Sequence, residues 1–166
     1  LDLATTGEVR LVERMGVDRA RCIHTHPIKR GEDIRNALAA GVTVFVADNP
    51  DEVRKFRPHA GHASLLLRVS FRSPGAVCDL SRKFGCDPED AVALARTAAS
   101  LGIDVRGFSF HVGSQAPDAL KHVEAIEACD DIGDVNRLLS LRASTTPSDV
   151  RFPLDGGINL HGRCEI

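Results

Sequence analysis

Gly107-Phe108-Ser109-Phe110-His111-Val112-Gly113-Ser114-Gln115 is the stretch on which the reading of this chain turns. It opens as a strand-like run of aromatic and β-branched residues, reaches a histidine, and breaks at once into a Gly-Ser pair. Backbone amides in such a turn suit an anion. A buried strand that ends in His-x-Gly-Ser offers an imidazole to a flat ligand and amides to its phosphate, as an enzyme of barrel fold requires. The same residues also describe a core strand ending in a turn, with His111 satisfied by a neighbouring carbonyl.

Upstream of this stretch, strand and helix patterns alternate. Leu1 to Ala4 reads as a short strand, and Thr5-x-x-Glu8 as a capping box. The helix it opens would carry Val9, Leu11, Val12 and Met15 on one face and end at Gly16. Arg21 to Thr25 follows as a strand, Glu32 to Ala40 as a helix, and Val42 to Ala47 as a buried strand. Asp48-Asn49-Pro50-Asp51 reads as an N-terminal cap before a short helix over Glu52 to Arg57, and Ser64 to Val69 has the continuous apolar character of a parallel-sheet strand. Asp87-Pro88 starts a helix that ends at Gly102, with the aspartate as its cap, and Val105 to His111 is the next strand. This rhythm predicts an α/β fold with a parallel sheet and helical crossovers. A barrel and an open doubly wound sheet both fit the spacing. From Cys129 the signal weakens, and Asp130-Asp131-Ile132-Gly133-Asp134 and Ser144 to Asp149 read as polar loops.

The chain has 166 residues, enough for one domain with a core, whereas a complete eight-fold barrel typically takes about 250. Net charge is −2, which gives no reason to expect a nucleic-acid partner. No apolar run approaches the roughly 18 residues that a membrane span needs. The five cysteines, Cys22, Cys78, Cys86, Cys129 and Cys164, are widely spaced without a CxxC pair. That pattern fits reduced thiols and a cytoplasmic location better than a disulfide framework or a zinc site.

Four segments, in order, resemble one family. Gly107 to Gln115 is similar to the SFHVGS segment of the fold-type III, pyridoxal-phosphate-dependent basic amino acid decarboxylases, the ornithine, diaminopimelate and arginine decarboxylase group. Leu1-Asp2-Leu3-Ala4-Thr5 stands where that family has F-D-x-A-S. His26-Pro27-Ile28-Lys29 resembles its A-N-P-x-K segment, and Ala76 to Gly85 the segment ending L-S-x-K-F-G. The resemblance covers roughly residues 1–126, leaves 127–166 divergent, and selects the barrel. It implies a partial TIM-type (β/α) barrel of the alanine-racemase and ornithine-decarboxylase kind, as a single incomplete domain over 1–166 without the family's C-terminal β domain.

The resemblance also implies roles for named residues. His111 would stack on the ring of pyridoxal 5′-phosphate, and Ser114 with the amide of Gly113 would meet the phosphate. Asp155-Gly156-Gly157 resembles the family's D-x-G-G-G turn with one glycine fewer, so Gly156 and Gly157 are further candidates for the phosphate, or a simple turn. Arg68 matches the arginine near the cofactor ring, and also fits a strand-end arginine reaching solvent. Asp2 matches the acidic residue near the Schiff-base lysine, and Lys83 a lysine that supports the family's homodimer.

The family's Schiff-base lysine lies in a Y-A-V-K-x-N-like strand that precedes F-D-x-A-S, and no complete catalytic set is expected in this sequence. The expected identity is a fragment or reduced homologue of an amino acid decarboxylase of polyamine or lysine metabolism, inactive alone. Pyridoxal phosphate would bind weakly, and an amino acid would be the small-molecule substrate of the intact family. Two other readings remain: a non-catalytic homologue that acts by binding protein, and a metal-dependent barrel hydrolase. The second rests on His24-Thr25-His26, whose alternate positions share a strand face, with His111, His161 and Asp155 as conceivable further ligands. The family binds no metal there, so no metal site is assigned.

Overall fold

In this computed structural model the described residues are 1–71, 81–114 and 118–143, the last helix with side chains to 134. Among them, five strands form one parallel sheet: β1 (Asp2–Leu3), β2 (Ile23–His24), β3 (Val44–Ala47), β4 (Ser64–Ser70) and β5 (Asp104–His111). Their order in space is β1-β2-β3-β4-β5, the order of the chain. This order chooses between the two architectures that spacing left open. A doubly wound sheet reverses its strand order partway, whereas right-handed crossovers that all step the same way lay every helix on one face, as a barrel does.

Packing shows the same arrangement. Helices α1 (Thr6–Arg14), α2 (Gly31–Ala39), α3 (Pro50–Lys55) and α4 (Pro88–Ser100) alternate with the strands, and α5 (Leu120–Ala143) follows β5. Val9 and Val12 of α1, Ile34 and Ala37 of α2, Val53 of α3, and Leu94, Ala95 and Ala98 of α4 join a single apolar cluster. The sheet contributes Leu3, Phe45, Ala47, Leu65, Leu67 and Val105 to it. One face of the sheet therefore carries all four helices and the core. The opposite face is the inner wall of a partial barrel.

Local chemistry explains the helix starts. The Thr5 hydroxyl accepts from the Glu8 amide at 3.2 Å, while the Glu8 carboxylate accepts from the amides of Thr5 at 2.8 Å and Ala4 at 2.6 Å. The Ala4 amide, foremost among these donors, lowers the Glu8 pKa. Asn49 caps α3 by accepting from the Glu52 amide at 2.8 Å, with Pro50 in the first turn. Asp87 precedes α4 as expected, but its side chain makes no capping bond.

Three further expectations are corrected. Leu11 and Met15 are 48% and 68% exposed, and the buried stripe of α1 is Val9 and Val12 alone. The strand foreseen over Arg21 to Thr25 shrinks because Arg19–Arg21 is a 3-10 turn capped by Asp18, whose carboxylate accepts from the Ala20 amide at 3.0 Å. The polar run Asp130 to Asp134 is not a loop but part of α5. There Ile132 packs with Val69 and Ala91, and Phe108 packs against the same cluster. These tertiary contacts outweigh the poor helix propensity of aspartate and glycine. Residues 144–166 lie outside the described residues.

Candidate functional site

The side chains on the inner wall follow from register, because partners in neighbouring strands point to the same face. On β4, Leu65, Leu67 and Val69 are buried among the helices, so Leu66, Arg68 and Ser70 face inward. Leu66, Arg68 and Ser70 are paired with Gly107, Ser109 and His111 of β5. The pairing holds only because of a bulge: Leu65 pairs with Val105 but Leu66 with Gly107, so Arg106 is skipped. Without that extra residue, His111 would share the core-facing side of Val105. The bulge turns the last part of β5 so that its histidine looks inward.

His111 is half-buried at the end of β5, and its Nδ1 accepts from the Gly113 amide at 2.9 Å. That bond orients the ring and leaves Nε2 as the proton-bearing nitrogen of the neutral imidazole. Gly113 adopts φ +95°, a conformation suited to glycine, and so allows the chain to fold back on the ring. The Gly113 amide, expected to face an anion, is thereby used inside the turn. Ser114 stands exposed beyond it. Gly156 and Gly157 lie outside the described residues.

Arg68 lies on the same wall, its guanidinium 5.3 Å from the centre of the Phe84 ring. Burial lowers its pKa, and the carboxylates of Asp48 and Asp2 oppose that shift. Asp2 accepts a hydrogen bond from the Thr25 hydroxyl, so the β1 and β2 ends are joined at the site. Asp48 accepts from the Gly85 amide at 2.9 Å and from the Asn49 side chain at 2.9 Å. Through Gly85 it holds the segment carrying Phe84 over Arg68. Gly85 has φ +100°, and a Cβ there would lie 2.8 Å from the Ser70 nitrogen, so only glycine fits. Phe84 also meets the His26 ring edge-on at 5.6 Å and the exposed Lys83 at 5.0 Å.

Asp2, Arg68 and His111 are thus brought to the inner wall. His24 is not. It pairs in register with Phe45 and stacks on that ring, 5.9 Å away, in the helix-facing layer. Both of its ring nitrogens are buried without a hydrogen-bond partner among the described residues. The reason is strand phase: Asp2 pairs with Ile23, which leaves His24 with Leu3 on the other face. This placement separates His24 from His111. Among the described residues, no group of three or more His, Cys, Asp or Glu side chains is placed to hold a metal.

Neither Asp48, which the sequence offers only as part of a helix start, nor Ser109 stands out in the sequence as a site residue. The same holds for Lys29 and Glu52, a buried ion pair with Nζ 3.0 Å from Oε1. Lys29 Nζ further donates to the carbonyls of His26, Pro27 and Val46. An A-N-P-x-K-like run followed by an acid two helices later is too generic a pattern to announce such a pair.

With the geometry in place, similarity to known proteins gives the family. A family model described as pyridoxal-dependent decarboxylase, pyridoxal binding domain, matches residues 1–144. The sequence is 36% identical to ornithine decarboxylase 2 of Drosophila melanogaster over 153 residues, covering 92% of this chain and 39% of that protein. A crystal structure of lysine/ornithine decarboxylase from Vibrio vulnificus complexed with putrescine superposes with a TM-score of 0.76 at 45% identity, over 84% of this chain and 36% of that one. The arginine decarboxylase of Paramecium bursaria Chlorella virus, bound to agmatine, gives 0.79 at 28% identity, over 84% of this chain and 38% of that one. The chain therefore spans less than two fifths of the length of these relatives.

Proposed function

This chain belongs to the family of pyridoxal-dependent decarboxylases, through their pyridoxal-binding domain, and on that premise we propose that its inner wall is one side of a pyridoxal phosphate site. The reaction served is decarboxylation of a basic amino acid of the ornithine or lysine kind, the class named in the relatives. The observation that carries this reading is the bulged register that sets His111 beside Ser70, and Ser109 beside Arg68, on one face.

The residues suit the group. His111 offers a flat ring of fixed orientation, and the exposed Ser114 offers a hydroxyl for the phosphate. Ser109 has a buried hydroxyl oxygen with no partner among the described residues, as expected where a polar ligand completes a site. Pyridoxal phosphate supplies, when bound, the electron sink that makes loss of a carboxylate feasible. Arg68 adds a positive charge beside that sink, favoured by the nearby carboxylates of Asp48 and Asp2 and covered by the Phe84 ring. Asp2, fixed by Thr25, adds a carboxylate at the β1 end. The phosphate role of Gly156 and Gly157 belongs to the same proposal.

Titration of the 166-residue chain with pyridoxal phosphate, followed by absorbance, tests the reading. Saturable binding that His111→Ala and Ser114→Ala each weaken supports it. Binding unaffected by both substitutions, or no binding to folded protein, refutes it.

A further inference from the structure

The Ser109 hydroxyl is the one inner-wall group named above that is buried and leaves its polar atom unpartnered among the described residues. An unmade hydrogen bond in a buried place costs about 1–3 kcal/mol, so its presence calls for a partner. Three facts fix what that partner can be. Ser109 shares the face of His111, two residues back along β5, and so lies roughly 6.6 Å deeper into the barrel. Arg68 is its register partner on β4, so a positive charge is adjacent. The Gly113 amide is already committed to His111, which leaves Ser114, at the rim, as the phosphate-facing hydroxyl.

We infer that Ser109 donates a hydrogen bond to the phenolic oxygen of the bound pyridoxal ring. This rests on the inner-wall reading above. With the phosphate arm at the rim by Ser114 and the ring along His111, the ring edge remote from that arm lies at the depth of Ser109. That edge carries the ring nitrogen on one side and the phenolic oxygen on the other, and the positive charge of Arg68, register partner of Ser109, selects the phenolic oxygen in its ionised form. A serine is suited to the place because its hydroxyl rotates to aim at an oxygen without enlarging the strand.

The test compares wild type, Ser109→Ala and Ser109→Thr by three measurements: melting temperature without ligand, affinity for pyridoxal phosphate, and affinity for inorganic phosphate. Removing an unpartnered buried hydroxyl should leave the melting temperature of S109A unchanged or raised. Affinity of S109A for pyridoxal phosphate should fall roughly fivefold, the scale of one net hydrogen bond. Affinity for inorganic phosphate should stay at the wild-type value, and S109T should recover most of the loss for pyridoxal phosphate. A lowered melting temperature with equal loss for both ligands would make Ser109 structural and overturn the inference. Unchanged pyridoxal phosphate affinity in S109A, with wild type binding normally, would overturn it while leaving the inner-wall reading standing. Failure of folded wild type to bind pyridoxal phosphate would remove both.

Discussion

Val105 and His111 lie six residues apart on one strand, yet they face opposite sides of the sheet. Val105 packs into the helix-facing core, and His111 pairs with Ser70 on the inner wall. An even separation in a regular strand keeps two side chains on one face. The skipped residue Arg106 and the glycine after it, at φ +151°, make the difference.

The bulge gives a first prediction. Gly107→Ala puts a side chain on a backbone that L-residues rarely adopt, although the space beside Leu66 is adequate. It should cost about 1–2 kcal/mol in denaturant unfolding. It should also reduce pyridoxal phosphate affinity, because the register that aims His111 depends on this turn. Unchanged stability and binding together would show that the bulge does not set the site.

Lys29 and Glu52 provide a second. Their side chains are fully buried, and burial lowers the lysine pKa against the pull of Glu52. Glu52→Ala leaves that ammonium uncompensated and should cost about 3–5 kcal/mol. The double substitution Lys29→Met with Glu52→Leu should cost less than Glu52→Ala alone, since apolar replacement of both partners is often near neutral. The three N–H donors of the ammonium are already shared among the carbonyls of His26, Pro27 and Val46 and the Glu52 carboxylate. Borohydride reduction in the presence of pyridoxal phosphate should therefore leave Lys29 unlabelled in mass-spectrometric mapping.

The third concerns pH. Burial, with a smaller contribution from Lys29, lowers the His24 pKa below the ordinary value of 6.5. The unfolded chain therefore binds a proton at His24 at a pH where the folded chain does not. This contribution to stability is complete above pH 6.5 and is lost as pH falls from there towards the folded pKa, by at most about 1.4 kcal/mol per pH unit. His24→Phe keeps the stack on Phe45 and removes the titration. Its unfolding free energy should fall less steeply than wild type between pH 6.5 and pH 5. Parallel curves for the two proteins would contradict this.

Much of this was legible in the sequence. The caps at Thr5 and Asn49, the glycine stops and the apolar strand Ser64 to Val69 state their structures locally, because each depends on neighbours within a few residues. Barrel topology was not legible from spacing, since it depends on strand order in space, and only the family resemblance pointed to it. His24 was misplaced because the phase of a two-residue strand is set by its partners Leu3 and Phe45, not by its own alternation. The middle of α5 was missed because Ile132 gains its meaning only against Val69, Ala91 and Phe108. Motif alone brings His111 and Arg68 forward as candidates, whereas Asp48 and Ser109 needed the placement of β4 and β5 and of the segment at Gly85.

The most direct test of the account is to map backbone amide shifts of the 15N-labelled chain during titration with pyridoxal phosphate. The inner-wall reading predicts saturable shifts concentrated at Arg68, Ser70, Ser109, His111, Gly113 and Ser114, with half-saturation on the order of 1 mM. His24 and Phe45, on the helix-facing side, should remain unmoved. Shifts scattered over exposed lysines, or concentrated on the helix layer with the end of β5 silent, would contradict it.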